Sequence, residues 1–169
     1  GTHNIHSIPE IIRQIELTGS NISDTSFQKS IQSIGIYAPP KNGAISAFVT
    51  IMQGCNNYCS YCVVPYLRGP EESRKPKDII DEISKLADHG IKEVTLLGQN
   101  VNSYGRMMNN GTNFPSLLKK IGEIKGIERI RFTTSHPKDL SEDLIYCYGD
   151  VQPLCEHIHL PVQSGSDAI

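Results

Sequence analysis

Nowhere in the 169 residues is there an apolar run approaching the roughly 18 needed to span a bilayer, so no membrane partner is expected. Nor is there an excess of either charge. Sixteen Lys and Arg against eighteen Asp and Glu leave a formal net charge of −2, so the chain carries no global basic field. Any affinity for nucleic acid must then come from a local patch or from segments outside these residues. The amino terminus, Gly1-Thr2-His3-Asn4-Ile5-His6, does not read as a signal peptide, which predicts a cytoplasmic protein. Internal repeats and low-complexity tracts are also missing. A hydrophobic share of 38% with so little net charge excludes a disordered tail and suits an ordinary soluble domain. What the chain does have is five cysteines, an odd number without an export signal. That count disfavours a disulfide framework and favours thiolate chemistry in a reducing compartment. Three of the five lie between positions 55 and 62.

Hydrophobic periodicity divides the rest. Ile8 to Ile15, with Pro9 at a helix start and Ser7 as a cap, predicts a short helix, and Gly19 to Gly43 lacks a period and reads as a linker. Ala47-Phe48-Val49-Thr50-Ile51 predicts a buried strand ending at Gln53-Gly54. Beyond it, helices are expected over Lys77 to His89, Phe114 to Glu123 and Leu140 to Tyr148. Strands are expected at Glu93 to Leu97, Arg129 to Thr133 and His157 to Leu160. The order βαβαβαβ predicts an α/β fold with a parallel sheet, either doubly wound or a β/α barrel, with ligands at the strand carboxyl ends. At those ends stand Gly54-Cys55, Gly98-Gln99-Asn100, Ser135-His136-Pro137 and Pro161-Val162-Gln163-Ser164-Gly165. Ile169 falls where a fourth helix would follow, so a barrel would be half built.

The segment Cys55-Asn56-Asn57-Tyr58-Cys59-Ser60-Tyr61-Cys62 puts three thiols on one tight loop with C-x3-C-x2-C spacing. Structural zinc sites and ferredoxin-type clusters normally use four protein ligands, so three leave one coordination position open for a substrate or cofactor. A non-catalytic zinc module closed by a His or a distant cysteine is the alternative. Arg68 and Arg74 suit bidentate binding of carboxylate or phosphate, or ion pairs with Glu71, Glu72 or a neighbouring acid. His136 and the pair His157 and His159 invite a metal reading, but alternation puts the pair on one face of a strand, where two histidines read better as structural groups. Cys147 and Cys155 lack ligand spacing and read as buried small hydrophobes.

The cysteine loop after a first strand resembles the radical S-adenosylmethionine superfamily. Gly54 to Tyr66, followed by Arg68-Gly69 and Glu72-Ser73-Arg74, is similar to its methylthiotransferases. Three further segments, Leu97 to Tyr104, Arg131 to Pro137 and His159 to Ser166, resemble the branch that modifies N6-isopentenyladenosine in tRNA. The segment Gly98-Gln99-Asn100-Val101-Asn102 disfavours the branches acting on threonylcarbamoyl-adenosine in tRNA or on a ribosomal-protein aspartate. The resemblance implies that residues 1–18 end an amino-terminal methylthiotransferase domain and 19–46 form a linker. Residues 47–169 would then be the first half of a radical domain, about four β/α units of a partial TIM-type barrel, with the remaining barrel and an RNA-binding domain outside the chain.

The same resemblance implies site residues and chemistry. Cys55, Cys59 and Cys62 would hold a [4Fe–4S] cluster whose fourth iron binds S-adenosylmethionine. Tyr61 would lie near the adenine, Gln99 and Asn100 near the methionyl amino group, and Gln163 and Ser164 near the ribose hydroxyls. One electron, from a donor such as a flavodoxin or ferredoxin, would cleave the cofactor to a 5′-deoxyadenosyl radical that takes the C2 hydrogen of the prenylated adenosine at tRNA position 37. Sulfur would come from a second cluster on the amino-terminal domain. The residues from Gly1 to Ile169 alone are therefore expected to be inactive.

Overall fold

The computed structural model describes residues 2–26, 43–109 and 111–168; most of the expected linker, 27–42, lies outside them. The first helix, α1 (Ile8–Thr18), starts with proline in its first turn and ends on Gly19 in the left-handed conformation. None of its residues is buried. After Gly19 the chain folds back, and the Asn4 amide donates to Asp24 Oδ1 at 2.7 Å.

A strand β1 (Ser46–Thr50) begins one residue inside the expected linker and runs straight into a two-residue strand, β2 (Met52–Gln53). The cysteine loop follows, then a helix α2 (Val64–Arg68) and a second two-residue strand, β3 (Glu72–Ser73). Next come α3 (Pro76–Asp88), β4 (Glu93–Leu97), α4 (Phe114–Gly122), β5 (Arg129–Phe132) and α5 (Glu142–Asp150). Among the described residues no helix is long and apolar enough to cross a membrane.

Strands β1, β4 and β5 form a parallel sheet in that order, each joined to the next by a crossover helix. Register puts Val49, Leu96 and Phe132 side by side, and all three are buried. One residue earlier, Phe48, Thr95 and Arg131 are neighbours on the opposite face, where Phe48 is 73% exposed. The period of two thus separates a helix-covered face from an open one. On the covered face α3 contributes Ile79, Ile83 and Leu86, and α4 contributes Leu117, Leu118 and Ile121. Each such side chain adds about 1.5–3 kcal/mol by leaving water. Phe114 and Phe132 meet edge to face at 5.0 Å, and Phe132 also meets Tyr148 at 6.3 Å, tying α4, β5 and α5 together. On the open face Glu93 accepts from Arg129 Nε at 2.7 Å and lies 3.3 Å from Arg131 Nε. These pairings hold the Glu93 carboxyl below its ordinary range.

The expected strand at His157 to Leu160 does not form. The segment runs beside β5 but meets it at separated points. Ile130 donates to Pro153 O at 2.7 Å and accepts from Cys155 N at 3.0 Å, and further on Ser135 N donates to His159 O at 3.2 Å. Pro153 and Pro161 supply no amide hydrogen, and His157 N is spent on a local bond to Cys155 O. The α/β expectation therefore holds with three paired parallel strands and a fourth segment reduced to a bridge at Ile130 and Leu154.

Candidate cofactor site

The cysteine loop grows from a neck. Met52 pairs with Ser73 and Gln53 with Glu72, so β2 and β3 hold its two ends one strand spacing apart. Gly54 opens it at φ +75°, where an added Cβ would sit 2.0 Å from Pro70 O. Only glycine permits both that φ and that approach. Cys55 N donates to Gly69 O at 3.2 Å, and the Asn56 side chain accepts from Glu71 N at 3.0 Å. Further round, Cys62 N donates to Cys59 O at 2.9 Å.

The carboxyl end of β4 reaches under this loop. Gln99 Oε1 accepts from Gly54 N at 2.6 Å, so the side chain expected beside a cofactor amino group fixes the loop's first residue. Asn100, 1% exposed, donates through Nδ2 to Asp139 Oδ2 at 2.7 Å, while its Oδ1 is buried without a partner. Asp139 gathers two more donors, Arg106 Nη2 at 2.6 Å and, from the cysteine loop, Asn57 Nδ2 at 3.5 Å. Burial alone would raise this carboxyl, but Asn100, Arg106 and Asn57 together hold it below its usual range. Ser103 Oγ lies 2.7 Å from Glu71 Oε2 and 2.9 Å from Asn100 O. Glu71 is buried, its Oε1 has no partner, and burial pushes its carboxyl up.

Strand β5 delivers the third side of the site. Ser135 is buried with its Oγ unpartnered, and His136 Nε2 stands 3.6 Å from Cys59 Sγ. Tyr61, two-thirds exposed, hydrogen-bonds Gln163 Oε1, which brings those two expected residues together. Ser164 Oγ instead accepts from Ser166 N at 3.0 Å in a local turn. Arg74 is committed to structure, donating to Thr50 O at 2.5 Å and to Glu82 at 2.6 Å rather than to Glu71 or Glu72. His159 is structural too, its Nδ1 accepting from Thr134 N at 3.0 Å. Cys147 is fully buried as expected, whereas Cys155 is only half-buried.

Burial raises the Cys55 thiol, and Glu71, Cys59 and Cys62 push it the same way. Among the described residues no three His, Cys, Asp or Glu side chains converge tightly enough for a single metal ion.

The family model of the Radical SAM superfamily matches residues 49–169, from the middle of β1 past the last strand end. The chain belongs to the radical SAM superfamily. That membership implies an iron–sulfur cluster and S-adenosylmethionine, and the three-thiol loop beside buried, unpartnered Asn100 Oδ1, Glu71 Oε1 and Ser135 Oγ fits both. All of this chain aligns with proteins named tRNA-2-methylthio-N(6)-dimethylallyladenosine synthase. That of Syntrophus aciditrophicus is 63% identical over 169 residues, with 37% of its length covered. Those of Geobacter sulfurreducens and Caldicellulosiruptor saccharolyticus are 52% and 53% identical, with 38% and 36% covered. The chain thus spans little more than a third of these curated relatives. Among solved structures, the radical S-adenosylmethionine methyltransferase TsrM of Kitasatospora setae, with tryptophan and a SAM analogue bound, superposes with TM-score 0.52 at 19% identity. It covers 72% of this chain and 22% of that one. A second TsrM structure, carrying cobalamin and a [4Fe–4S] cluster, gives TM-score 0.51 at 18% identity over 69% of this chain and 22% of that one. Within the superfamily the polar shelf of Glu71, Asn102, Ser103 and Asp139 is what sequence reasoning missed. Its one visible signal was the run Asn100-Val101-Asn102-Ser103, polar residues at a strand end, and nothing marked Asp139.

Proposed function

We propose that the chain is the cofactor-binding part of a tRNA methylthiotransferase that modifies N6-isopentenyladenosine at position 37. The observation that carries this reading is the three-thiol loop at the end of β1, in a chain whose relatives bear that enzyme's name at 50–63% identity along its whole length. When bound, the cluster and S-adenosylmethionine would supply reductive cleavage and radical hydrogen abstraction.

Everything else is work for this chain's residues. Cys55, Cys59 and Cys62 would hold the cluster as its three cysteine ligands, with the loop's entry fixed by Gln99 and its flank by Asn56 and Asn57. Asn100 offers a buried acceptor suited to an ammonium group, its orientation fixed by the bond from Nδ2 to Asp139. Tyr61 and Gln163 form one wall, where the ring suits the adenine and the amide the ribose, and Ser164 closes the turn beside them. Gln99, anchored through its oxygen, keeps its amide N–H₂ for the methionyl end of the cofactor.

Residues 1–18 are assigned to the end of an amino-terminal domain bearing a second cluster, 19–46 to a linker, and 47–169 to the first half of the radical domain. The tRNA and an electron donor such as flavodoxin or ferredoxin would be met in the cytoplasm by the complete enzyme. Anaerobic reconstitution tests the core of this reading: about four irons per chain with broad visible absorption are expected. One tightly held zinc and no iron would refute it. Mass spectrometry of tRNA from cells lacking the gene tests the substrate, with loss of the methylthio group at position 37 expected.

A further inference from the structure

His136 lies just beyond β5, and each of its polar groups has a partner. Its backbone N–H donates to Asn102 Oδ1 at 2.9 Å, and its carbonyl accepts from Asn102 Nδ2 at 2.8 Å and from Asp139 N at 3.0 Å. Pro137 follows, and His136 adopts the extended conformation, φ −120° and ψ 134°, that a residue before proline prefers. The ring is held as well, since Nδ1 accepts from Lys138 N at 3.1 Å. A neutral imidazole has one donor and one acceptor nitrogen, so an accepting Nδ1 leaves the hydrogen on Nε2. That nitrogen is 3.6 Å from Cys59 Sγ. The imidazole is thus a fixed N–H donor aimed at a sulfur.

We infer that His136 tunes the reduction potential of the iron–sulfur cluster through an Nε2–H···Sγ hydrogen bond to Cys59. This rests on the reading of Cys59 as a cluster ligand. Adding an electron to the cluster increases negative charge on its sulfurs, so a donor to one of them stabilises the reduced form more than the oxidised form and raises the potential. The tuning is separable from the capping role that Nδ1 plays toward Lys138, because different ring nitrogens carry the two.

Two substitutions exploit that separation in the anaerobically reconstituted protein. His136→Asn keeps an acceptor where Nδ1 stands and is too short to reach Cys59; His136→Gln places a side-chain N–H near the position of Nε2. Iron per chain is counted first, and the midpoint is then read by potentiometric titration followed by electron paramagnetic resonance. His136→Asn should bind full iron and show a more negative midpoint, by about a tenfold change in the reduced-to-oxidised ratio at fixed potential, or about 59 mV for one electron. His136→Gln should return toward wild type. An unshifted His136→Asn, or equal shifts in both variants, overturns the inference. In the wild-type protein carrying 15N-histidine, pulsed resonance of the reduced cluster should show a weak nitrogen coupling that His136→Gln removes, and its absence from wild type also overturns the inference. Wild-type protein that binds no iron overturns the ligand reading and the inference together, whereas an iron-loaded protein without the shift or coupling overturns the inference alone.

Discussion

Asn102 grips both main-chain polar groups of His136, accepting from its N–H at 2.9 Å and donating to its carbonyl at 2.8 Å. Asn102 lies just beyond β4 and His136 just beyond β5, so one side-chain amide ties neighbouring strand ends where their ladder has stopped. Asn102→Ala would leave the His136 main-chain N–H without its partner in a half-buried place, and its carbonyl with Asp139 N alone. The expected loss is about 2 kcal/mol or more, measured by urea denaturation. The cluster midpoint should move negative with it, because His136 would no longer be held with its Nε2 toward Cys59.

Gly54 and Gly149 should respond to alanine in opposite ways. At Gly54 the new Cβ would meet Pro70 O at 2.0 Å on a backbone with positive φ, whereas at Gly149 in α5 nothing lies within 4 Å. Gly54→Ala is expected to cost at least 3 kcal/mol or so and abolish cluster assembly. Gly149→Ala is expected to stabilise by about 0.5–1 kcal/mol. Thermal denaturation of the two variants reads both.

Asp139 predicts how stability depends on pH. Its carboxyl is held below its unfolded value, so its contribution is complete above that unfolded value and is lost as pH falls through the lower, folded one. Glu71 acts in the opposite sense: its pKa is raised, so its ionised form is a cost near neutrality that protonation relieves at higher pH than Asp139 titrates. Asp139→Asn should flatten the acid limb of a stability-versus-pH curve and leave Glu71's portion in place. An unchanged acid limb would contradict the assignment.

Arg74 joins Thr50 O at the end of β1 to Glu82 on α3 with two different guanidinium nitrogens. A lysine ammonium cannot span both partners with that fork. Arg74→Lys is expected to cost about 1–2 kcal/mol in urea denaturation, and Arg74→Lys combined with Glu82→Gln should cost less than the sum of the single changes.

Local signals explain which elements could be read from sequence. Strand β4 was legible to the residue because Glu93 to Leu97 is a β-rich run set off by Gly90 and Gly98, and α3 because Ile79, Ile83 and Leu86 recur at helical spacing. Strands β2 and β3 were not, since two residues carry no period, and α2 was hidden inside a motif read for its cysteines. His157 to Leu160 alternates as a strand would, but strand formation is decided by the neighbour, and β5 offers it separated contacts rather than a ladder. The cysteine loop itself was legible from spacing. The buried role of Asp139 was not, because its partners are Arg106, Asn100 and Asn57, 33, 39 and 82 positions away.

The neck formed by Met52–Gln53 against Glu72–Ser73 makes the cysteine loop a portable cassette. Its two ends emerge side by side, about 4.8 Å apart, the separation that any antiparallel strand pair in another scaffold could accept. Transplanted alone, it would carry its own glycine hinge and the closures at Gly69 and Glu71, but it would leave behind Gln99, Ser103, His136 and Asp139. A recipient scaffold must therefore supply, from two adjoining strand ends, an acceptor for Gly54 N–H, a hydroxyl for Glu71, a donor to Cys59 and a carboxylate for Asn57.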